Sequence, residues 1–225
     1  MTALLVCQFY FFFRAEYDIL VWLGLSFGLS RKEGIRLDGL ILASRSPRRC
    51  ELLSRLGLPF ETDAPDVDES CSLPASEAVQ LLSRRKAAAA SALHPGCWIL
   101  GADTLVSLGG QSLGKPKDES EAVRMLRSLS GNTHQVFTGV TVISPSGGVF
   151  TALDCTEVTF DRLTDEEILS YVRTGEPMDK AGAYALQGLA GAWVTHLDGS
   201  DSSVIGLPLY LVRRLLIRSG FHFPA

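Results

Sequence analysis

The sequence lacks three features, and each absence excludes a class of protein. It has no surplus of positive charge: the formal net charge is −4, whereas general nucleic-acid binders are basic. Its five cysteines include no CxxC pair, and no His/Cys cluster has zinc spacing, a pattern typical of a reducing cytosol. No apolar run reaches the ~20 residues that span a bilayer. We therefore expect a cytoplasmic protein without nucleic-acid or membrane partners, in which carboxylates would hold any metal.

Residues 1–38 differ from the rest of the chain. Their two apolar stretches, "MTALLVCQFYFFF" and "ILVWLGLSFGLS", are separated by Arg14, Glu16 and Asp18, and the start lacks the positive charge of a signal peptide. A membrane or targeting segment is one interpretation. The other, which we favour, is an N-terminal extension over 1–38, from an upstream start codon, outside a single domain over 39–225.

From Gly39 onward, strand and helix signals alternate. The apolar run Leu40 to Ala43 predicts a buried strand, and Ser46 with Pro47 predicts a helix start that Gly57 ends. Further helices are predicted over about 76–92, 118–131, 164–175 and 208–219. The runs "HQVFTGVTVI" and "VFTALDCTEVTF", joined by "SPSGG", predict an antiparallel hairpin, and "DGSDSS" predicts a turn. The fold class is α/β, with a mixed central β-sheet flanked by helices.

The stretch "GGQSLGKP" resembles a phosphate-binding P-loop. It has a glycine, four residues, a second glycine and Lys115, but Pro116 stands where that loop carries a metal-binding Ser or Thr. A P-loop also opens directly into a helix, whereas Gly109 and Gly110 are typical of a hairpin turn. We predict a hairpin and not a P-loop.

The segment "ASRSPRRCELL" is a candidate anion site. A strand ends at Ala43, a polar turn with Ser44 and Ser46 follows, and a helix begins immediately. Arg48 and Arg49 fall in the first helical turn, where positive side chains oppose the helix dipole. An anion held by the dipole, the backbone amides and both guanidinium groups would explain them. The alternative is a pair of solvated surface arginines.

The segment "GADT" interrupts an apolar strand pattern with Gly101 and Asp103. A buried carboxylate is costly unless it is paired or binds a metal, so Asp103 could hold Mg²⁺ or take a proton from water. An aspartate at a strand-end turn, capped by Thr104, is the other interpretation.

Other charged residues stay ambiguous on sequence alone. The acidic run with Asp66, Asp68 and Glu69 could add metal ligands or be a solvated loop. Lys86 in "RRKAAAA" and Lys180 in "DKAGAY" could contact phosphate or lie exposed.

Together and in order, several blocks resemble the Maf family of nucleoside triphosphate pyrophosphatases. The blocks extend from Leu40 to the C-terminus, leave 1–38 uncovered, and read "LILASRSPRRCELLSRLGLPFE", "DVDE", "RRKA", "GADTLV", "LGKPKD", "MLRSLSGNTHQVFTGV", "GEPMDKAGAYALQG" and "GLPL". The resemblance implies an α/β homodimer, similar in fold to inosine triphosphatase, that cleaves a nucleoside triphosphate between the α and β phosphates with Mg²⁺ or Mn²⁺.

The resemblance also implies residue roles. The "GADT" aspartate of the family, regarded as the general base, corresponds to Asp103. The branch of the family that prefers dTTP and UTP carries an arginine, a threonine and a glutamine at three positions, which are Arg48, Thr104 and Gln187 in this sequence. The branch that acts on 7-methyl-GTP has other residues at these positions, so the chain resembles the pyrimidine branch. A mechanism consistent with the residues themselves would add further roles. Lys86 and Lys115 would act with Asp103 in catalysis or phosphate binding, the polar turn and its arginines would bind substrate, and Glu69 would hold the metal with Asp103. The substrate-binding set is Ser44, Ser46, Arg48 and Arg49.

Two departures from the family pattern and two rival functions remain open. "AYGIQG" of the family is "AYALQG" here, so Ala185 would be strained if its φ were positive. An aromatic residue expected before "GLPL" is replaced by Asp201, which bears on packing or dimer contact. The rival functions are a nucleotide-binding regulator of septum formation and cell division without significant catalysis, and a pyrophosphatase for non-canonical purines.

Overall fold

The computed structural model describes residues 39–223. The prediction of an N-terminal extension over 1–38 falls outside these residues. Within the described part of the chain, no helix is both long and apolar enough to cross a membrane.

Seven strands and six α-helices make up the described elements, joined in places by short 3-10 turns. The strands are β1 (Leu40–Leu42), β2 (Glu61–Thr62), β3 (Trp98–Leu108), β4 (Gln111–Leu113), β5 (Thr133–Ile143), β6 (Val149–Phe160) and β7 (Val194–Asp198). The helices are α1 (Pro47–Ser54), α2 (Ala75–Leu93), α3 (Glu119–Leu129), α4 (Asp165–Arg173), α5 (Asp201–Ile205) and α6 (Leu209–Arg218).

The strands form one mixed sheet, which confirms the predicted fold class. Its order is β2-β1-β3-β5-β6-β7, and β4 also pairs with β3. The first pairs, β1 with β2 and β1 with β3, are parallel, while β3, β5, β6 and β7 pair antiparallel. The predicted hairpin is β5–β6. The turn at Gly109 and Gly110, both with positive φ, joins β3 to β4 as predicted.

One edge of β3 has a gap in its pairing. On that side β1 pairs with residues 98–100 and β4 pairs with residues 106–108. No described strand pairs there with residues 101–105, the segment that contains Asp103. The gap lies between the end of β1, which leads into α1, and β4, which leads to Lys115. The unpaired edge of the sheet therefore lies at Asp103, with Lys115 in the segment that follows β4.

Two glycines let α2 lie directly on the sheet beside this gap. A Cβ added at Gly101 would lie 2.4 Å from the Ser83 carbonyl oxygen, and one at Gly139 would lie 2.3 Å from the Val79 carbonyl oxygen. Such distances are too short for any side chain, so the helix backbone occupies the space that a β-carbon would fill. Gly139 is the register partner of Asp103.

Three expectations need correction. Asp103 lies in the middle of β3, so its interpretation as a strand-end residue is wrong. The segment "DGSDSS" is only partly a turn: α5 begins at Asp201, held by a tertiary hydrogen bond from Thr138 Oγ1 to the Ser203 carbonyl (2.9 Å). The strained alanine is Ala183, with φ 59°, and not Ala185.

Candidate active site

A cleft of about 920 Å³ opens at the gap in the β3 edge. The residues to which the family resemblance and the proposed chemistry give a role all line it, whereas Asp68 of the acidic run does not: Ser44, Ser46, Arg48, Arg49, Glu69, Lys86, Asp103, Thr104, Lys115 and Gln187. These residues come from the β1–α1 turn, the first turn of α1, the loop before α2, α2 itself, β3, the segment after β4, and the loop before β7. The fold thus gathers segments far apart in sequence around one opening.

A lysine between two carboxylates forms the centre of the cleft. Lys86 Nζ lies 2.5 Å from Asp103 Oδ1 and 2.8 Å from Glu69 Oε1. Asp103 is buried, with 8% of its surface exposed, and Lys86 balances the charge that would otherwise be costly there. Partial burial raises the pKa of Glu69, but Lys86 and then Lys115 outweigh burial, so its pKa lies below the ordinary value.

Arg49 is held beside Thr104, the residue that follows Asp103 on β3. Its Nε donates to the Gly206 carbonyl at 2.8 Å, and its Nη2 donates to Thr104 Oγ1 at 3.2 Å. The Thr104 hydroxyl also lies 3.0 Å from Thr138 Oγ1. Burial lowers the pKa of Arg49, and the Asp103 charge partly offsets that effect. The guanidinium stays protonated, because arginine is not deprotonated in proteins. Its position is therefore fixed before any ligand enters.

The polar turn after β1 uses its hydroxyls internally. Ser46 caps α1 by accepting from the Arg49 backbone N–H, at 3.5 Å, and Pro47 follows at the helix start as predicted. Ser44 Oγ is buried and accepts from the Ser46 backbone N–H at 3.2 Å. These contacts shape the turn and point the start of α1 at the cleft.

Arg48 makes a contact that sequence reasoning missed. Its Nη1 lies 3.5 Å from Asp179 Oδ2, and Asp179 Oδ1 lies 2.5 Å from Lys180 Nζ. Both Asp179 and Lys180 line the cleft. The signal was available, because Asp179 precedes Lys180 within the "GEPMDKAGAYALQG" block. Lys180, ambiguous on sequence, thus lies in the cleft wall.

Lys115 and Gln187 reach the cleft from exposed positions. Lys115 follows β4, on the return side of the hairpin. No hydrogen bond within residues 39–223 ties either side chain down. Both are therefore free to contact a ligand.

The three acidic residues before α2 each contact a different partner. Asp66 pairs with Arg45 at 2.7 Å, and Asp68 Oδ1 accepts from the Ser70 backbone N–H at 2.8 Å. Glu69 joins Lys86 in the cleft. Of the three, Glu69 is the one that shares the Lys86 ammonium with Asp103.

Comparisons with known proteins show which families and relatives the chain is similar to. The family model described as Maf-like protein matches residues 39–219. The dTTP/UTP pyrophosphatase of Anaeromyxobacter dehalogenans is 50% identical over 190 residues, covering 82% of this chain and 96% of the relative. The dTTP/UTP pyrophosphatase of Xanthomonas oryzae pv. oryzae is 49% identical over 189 residues, covering 81% and 100%. Among solved structures, the Staphylococcus aureus Ham1 protein aligns over 80% of this chain and 98% of its own, with 15% identity and TM-score 0.48.

Proposed function

The chain belongs to the Maf family, and on that premise we propose that it is a nucleoside triphosphate pyrophosphatase that hydrolyses dTTP and UTP to the monophosphate and pyrophosphate. Modified pyrimidine triphosphates are further candidate substrates. Such an activity would remove surplus or modified pyrimidine triphosphates from the nucleotide pool of the cytoplasm.

The observation that carries the proposal is the convergence of cations and one buried carboxylate on a single cleft. Lys86, Lys115, Arg48 and Arg49 line the same opening as Asp103. Four cationic side chains suit a triphosphate, whose negative charge must be offset both in binding and as pyrophosphate departs. A protein that only bound nucleotide would have no need of a general base beside the phosphates.

In the proposed reaction Asp103 is the general base. The water oxygen forms a bond to the α phosphorus while the bond from that phosphorus to the bridging oxygen of the β phosphate breaks. Asp103 takes the water proton, and pyrophosphate leaves with the bridging oxygen. Asp103 Oδ1 accepts from Lys86, while no donor among the described residues reaches Oδ2. The second oxygen is therefore available for the proton.

The phosphate groups would be held by the side chains around Asp103. Lys86 reaches the Asp103 carboxylate and is placed to offset charge on an adjacent phosphate oxygen. Arg49 presents the remaining donors of its fork, and Lys115 would swing onto the departing pyrophosphate. Lys115 is thus a phosphate lysine delivered by a hairpin.

A divalent cation, Mg²⁺ or Mn²⁺, belongs to the proposal. Among residues 39–223 no group of three or more His, Cys, Asp or Glu side chains could hold a metal alone. Glu69 and Asp103, both in contact with the Lys86 ammonium, fit an ion that takes one or two carboxylates and completes its shell with substrate phosphates and water. These two residues would hold the ion, which when bound would neutralise phosphate charge.

Base selection would come from Gln187, with Arg48 and Thr104. The Gln187 amide offers both a donor and an acceptor to a pyrimidine edge. Thr104 would act through Arg49, since its hydroxyl accepts from that guanidinium.

The test is pyrophosphate release by the purified protein, with Mg²⁺ or Mn²⁺, from dTTP, UTP, ATP, GTP and ITP. We expect dTTP and UTP to be hydrolysed far faster than ATP or GTP. Equal rates on all would reject the pyrimidine preference, and strong competition by ITP would favour the purine rival. Nucleotide binding without pyrophosphate release would favour a regulator.

We also propose a homodimer, on the strength of the family resemblance alone. Light scattering after size exclusion would give a mass near twice 24.4 kDa for this chain. A monomeric mass at micromolar concentration would reject the dimer and leave the proposed chemistry intact.

A further inference from the structure

The loop that carries Gln187 is held at both ends by one hydrogen-bonded pair. Tyr171 lies near the end of α4, and Glu176 begins the 3-10 turn that follows. The backbone N–H of Ala185 donates to Tyr171 Oη at 3.2 Å. The backbone N–H of Leu189 donates to the Glu176 carboxylate at 3.2 and 3.4 Å. The Tyr171 hydroxyl donates to Glu176 Oε1 at 2.8 Å, so the chain of bonds is continuous.

The packing around this pair is close. A Cβ added at Gly188 would lie 2.1 Å from Glu176 Oε1, so the carboxylate lies directly against the loop backbone. The buried Tyr171 ring packs edge-on against Trp193 at 4.8 Å between centroids. Burial, and then the hydrogen bond to Glu176, raises the pKa of Tyr171 above its ordinary value. The hydroxyl therefore keeps its proton and remains a donor.

Gln187 itself has no comparable support. Its side chain is exposed, and no hydrogen bond from residues 39–223 holds it. Its direction thus depends on the backbone of the loop over 185–189, whose two ends the Tyr171–Glu176 pair fixes. Neither member of the pair lines the cleft. The two side chains contact the cleft wall through this loop, since Ala185, which donates to Tyr171, lines the cleft.

We propose that Tyr171 and Glu176 are positioning residues that set base selectivity by holding the 185–189 loop so that the Gln187 amide faces the base. The inference rests on the proposed function, because it needs a nucleotide base beside Gln187. It adds that selectivity resides in two residues outside the cleft as well as in those that line it. Because the pair lies away from Asp103 and Lys86, the rate at saturating dTTP should be insensitive to it.

The experiment is a double-mutant cycle between Tyr171→Phe and Gln187→Ala. The measured quantities are kcat and KM for dTTP and for ATP. Tyr171→Phe keeps the ring and removes the hydroxyl that links both loop ends, so we expect the dTTP-to-ATP ratio of kcat/KM to fall about tenfold, with kcat for dTTP within about twofold. In the Gln187→Ala background the same change should shift that ratio less than about twofold, because the amide it positions is gone.

Tyr210→Phe is the matched control. It removes a hydroxyl that donates to Asp154, and neither residue lines the cleft, so selectivity should not change. Thermal unfolding would establish that each variant folds. Glu176→Gln is the second variant should Tyr171→Phe not fold, because it keeps the side-chain size and weakens the acceptor for Leu189. We expect from it the same loss of selectivity.

Three results would overturn the positioning role while leaving the proposed function standing: unchanged selectivity in both variants, an equal fall of kcat/KM for dTTP and ATP, or full additivity with Gln187→Ala. A wild-type protein that hydrolyses dTTP and ATP with equal kcat/KM would instead refute the proposed specificity, and the positioning role with it.

Discussion

Lys86 Nζ and Asp103 Oδ1 lie 2.5 Å apart because the helix that carries the lysine rests directly on the strand that carries the aspartate. Gly101, two residues before Asp103 and on the same face of β3, leaves room for the α2 backbone. A larger residue there would lift the helix and with it the ammonium. Gly101 therefore sets the distance between α2 and β3, and this distance allows Lys86 to pair with Asp103.

Gly101→Ala tests that relationship. The added Cβ would lie 2.4 Å from the Ser83 carbonyl oxygen, a backbone atom that cannot rotate away. We expect the free energy of unfolding to fall by at least about 2 kcal/mol, as in overpacked cores, and activity to fall in the fraction that folds. Urea unfolding measures the first and pyrophosphate release the second. Gly39→Ala is the control, because its Cβ would meet only Cys97 Sγ, at 3.8 Å. Equal stability of the two variants would contradict close helix–strand packing.

Lys115→Met tests the lysine of the false P-loop. Lys115 lines the cleft and Lys117, two residues on, does not. A charge-assisted contact to phosphate contributes about 1.5–3 kcal/mol, so we expect kcat/KM for dTTP to fall at least about tenfold. Lys117→Met removes the same charge from the chain and should leave kcat/KM within about twofold. Similar losses in both variants would mean that Lys115 acts only through the net charge of the protein and not through a contact with phosphate.

We expect His134 to make the free energy of unfolding depend on pH. This buried histidine lies 2.9 Å from Tyr184 Oη through Nε2, and its Nδ1 finds no partner among the described residues. Burial lowers its pKa from 6.5 to about 4. Between these values the unfolded chain binds the proton and the folded chain does not, so His134 makes stability fall as pH falls through that window.

His134→Gln removes this titration and keeps a polar group near Tyr184. From about pH 7.5 to about pH 5, we expect the wild-type free energy of unfolding to drop by about 2 kcal/mol more than that of the variant. Urea unfolding at both pH values measures the difference. His196→Gln, at an exposed position on β7, is the control and should follow the wild type. Parallel pH profiles for wild type and His134→Gln would show that His134 is not kept neutral in the fold.

The features that could be predicted from the sequence are those that depend on neighbouring residues. Ser46, Asp118 and Thr164, the residues at which three of the predicted helices begin, each accept from the backbone N–H three residues on. The turn at Gly109 was predictable for the same reason, because glycine tolerates the positive φ that a tight hairpin needs. The site residues, by contrast, were assembled by the family resemblance, which depends on the order of several blocks and not on any single local pattern.

The features that escaped prediction depend on contacts between distant segments. Helix α5 has no side-chain cap at Ser200 and is held by a hydrogen bond from Thr138 on strand β5. The Gly206 carbonyl that receives Arg49 is 157 positions away in sequence. The gap in the β3 edge arises from the lengths of β1 and β4, which periodicity does not determine. Asp103 could be identified from the sequence as unusual, but its setting could not.

Pyrophosphate release by Asp103→Asn at saturating dTTP shows whether Asp103 acts on a triphosphate surrounded by these cations. Asparagine keeps the shape and cannot take up the water proton, so we expect a normally folded protein that binds dTTP and turns over at least ~10²-fold more slowly. Turnover within a few-fold of wild type, with dTTP bound and the fold intact, would mean that Asp103 is not the general base.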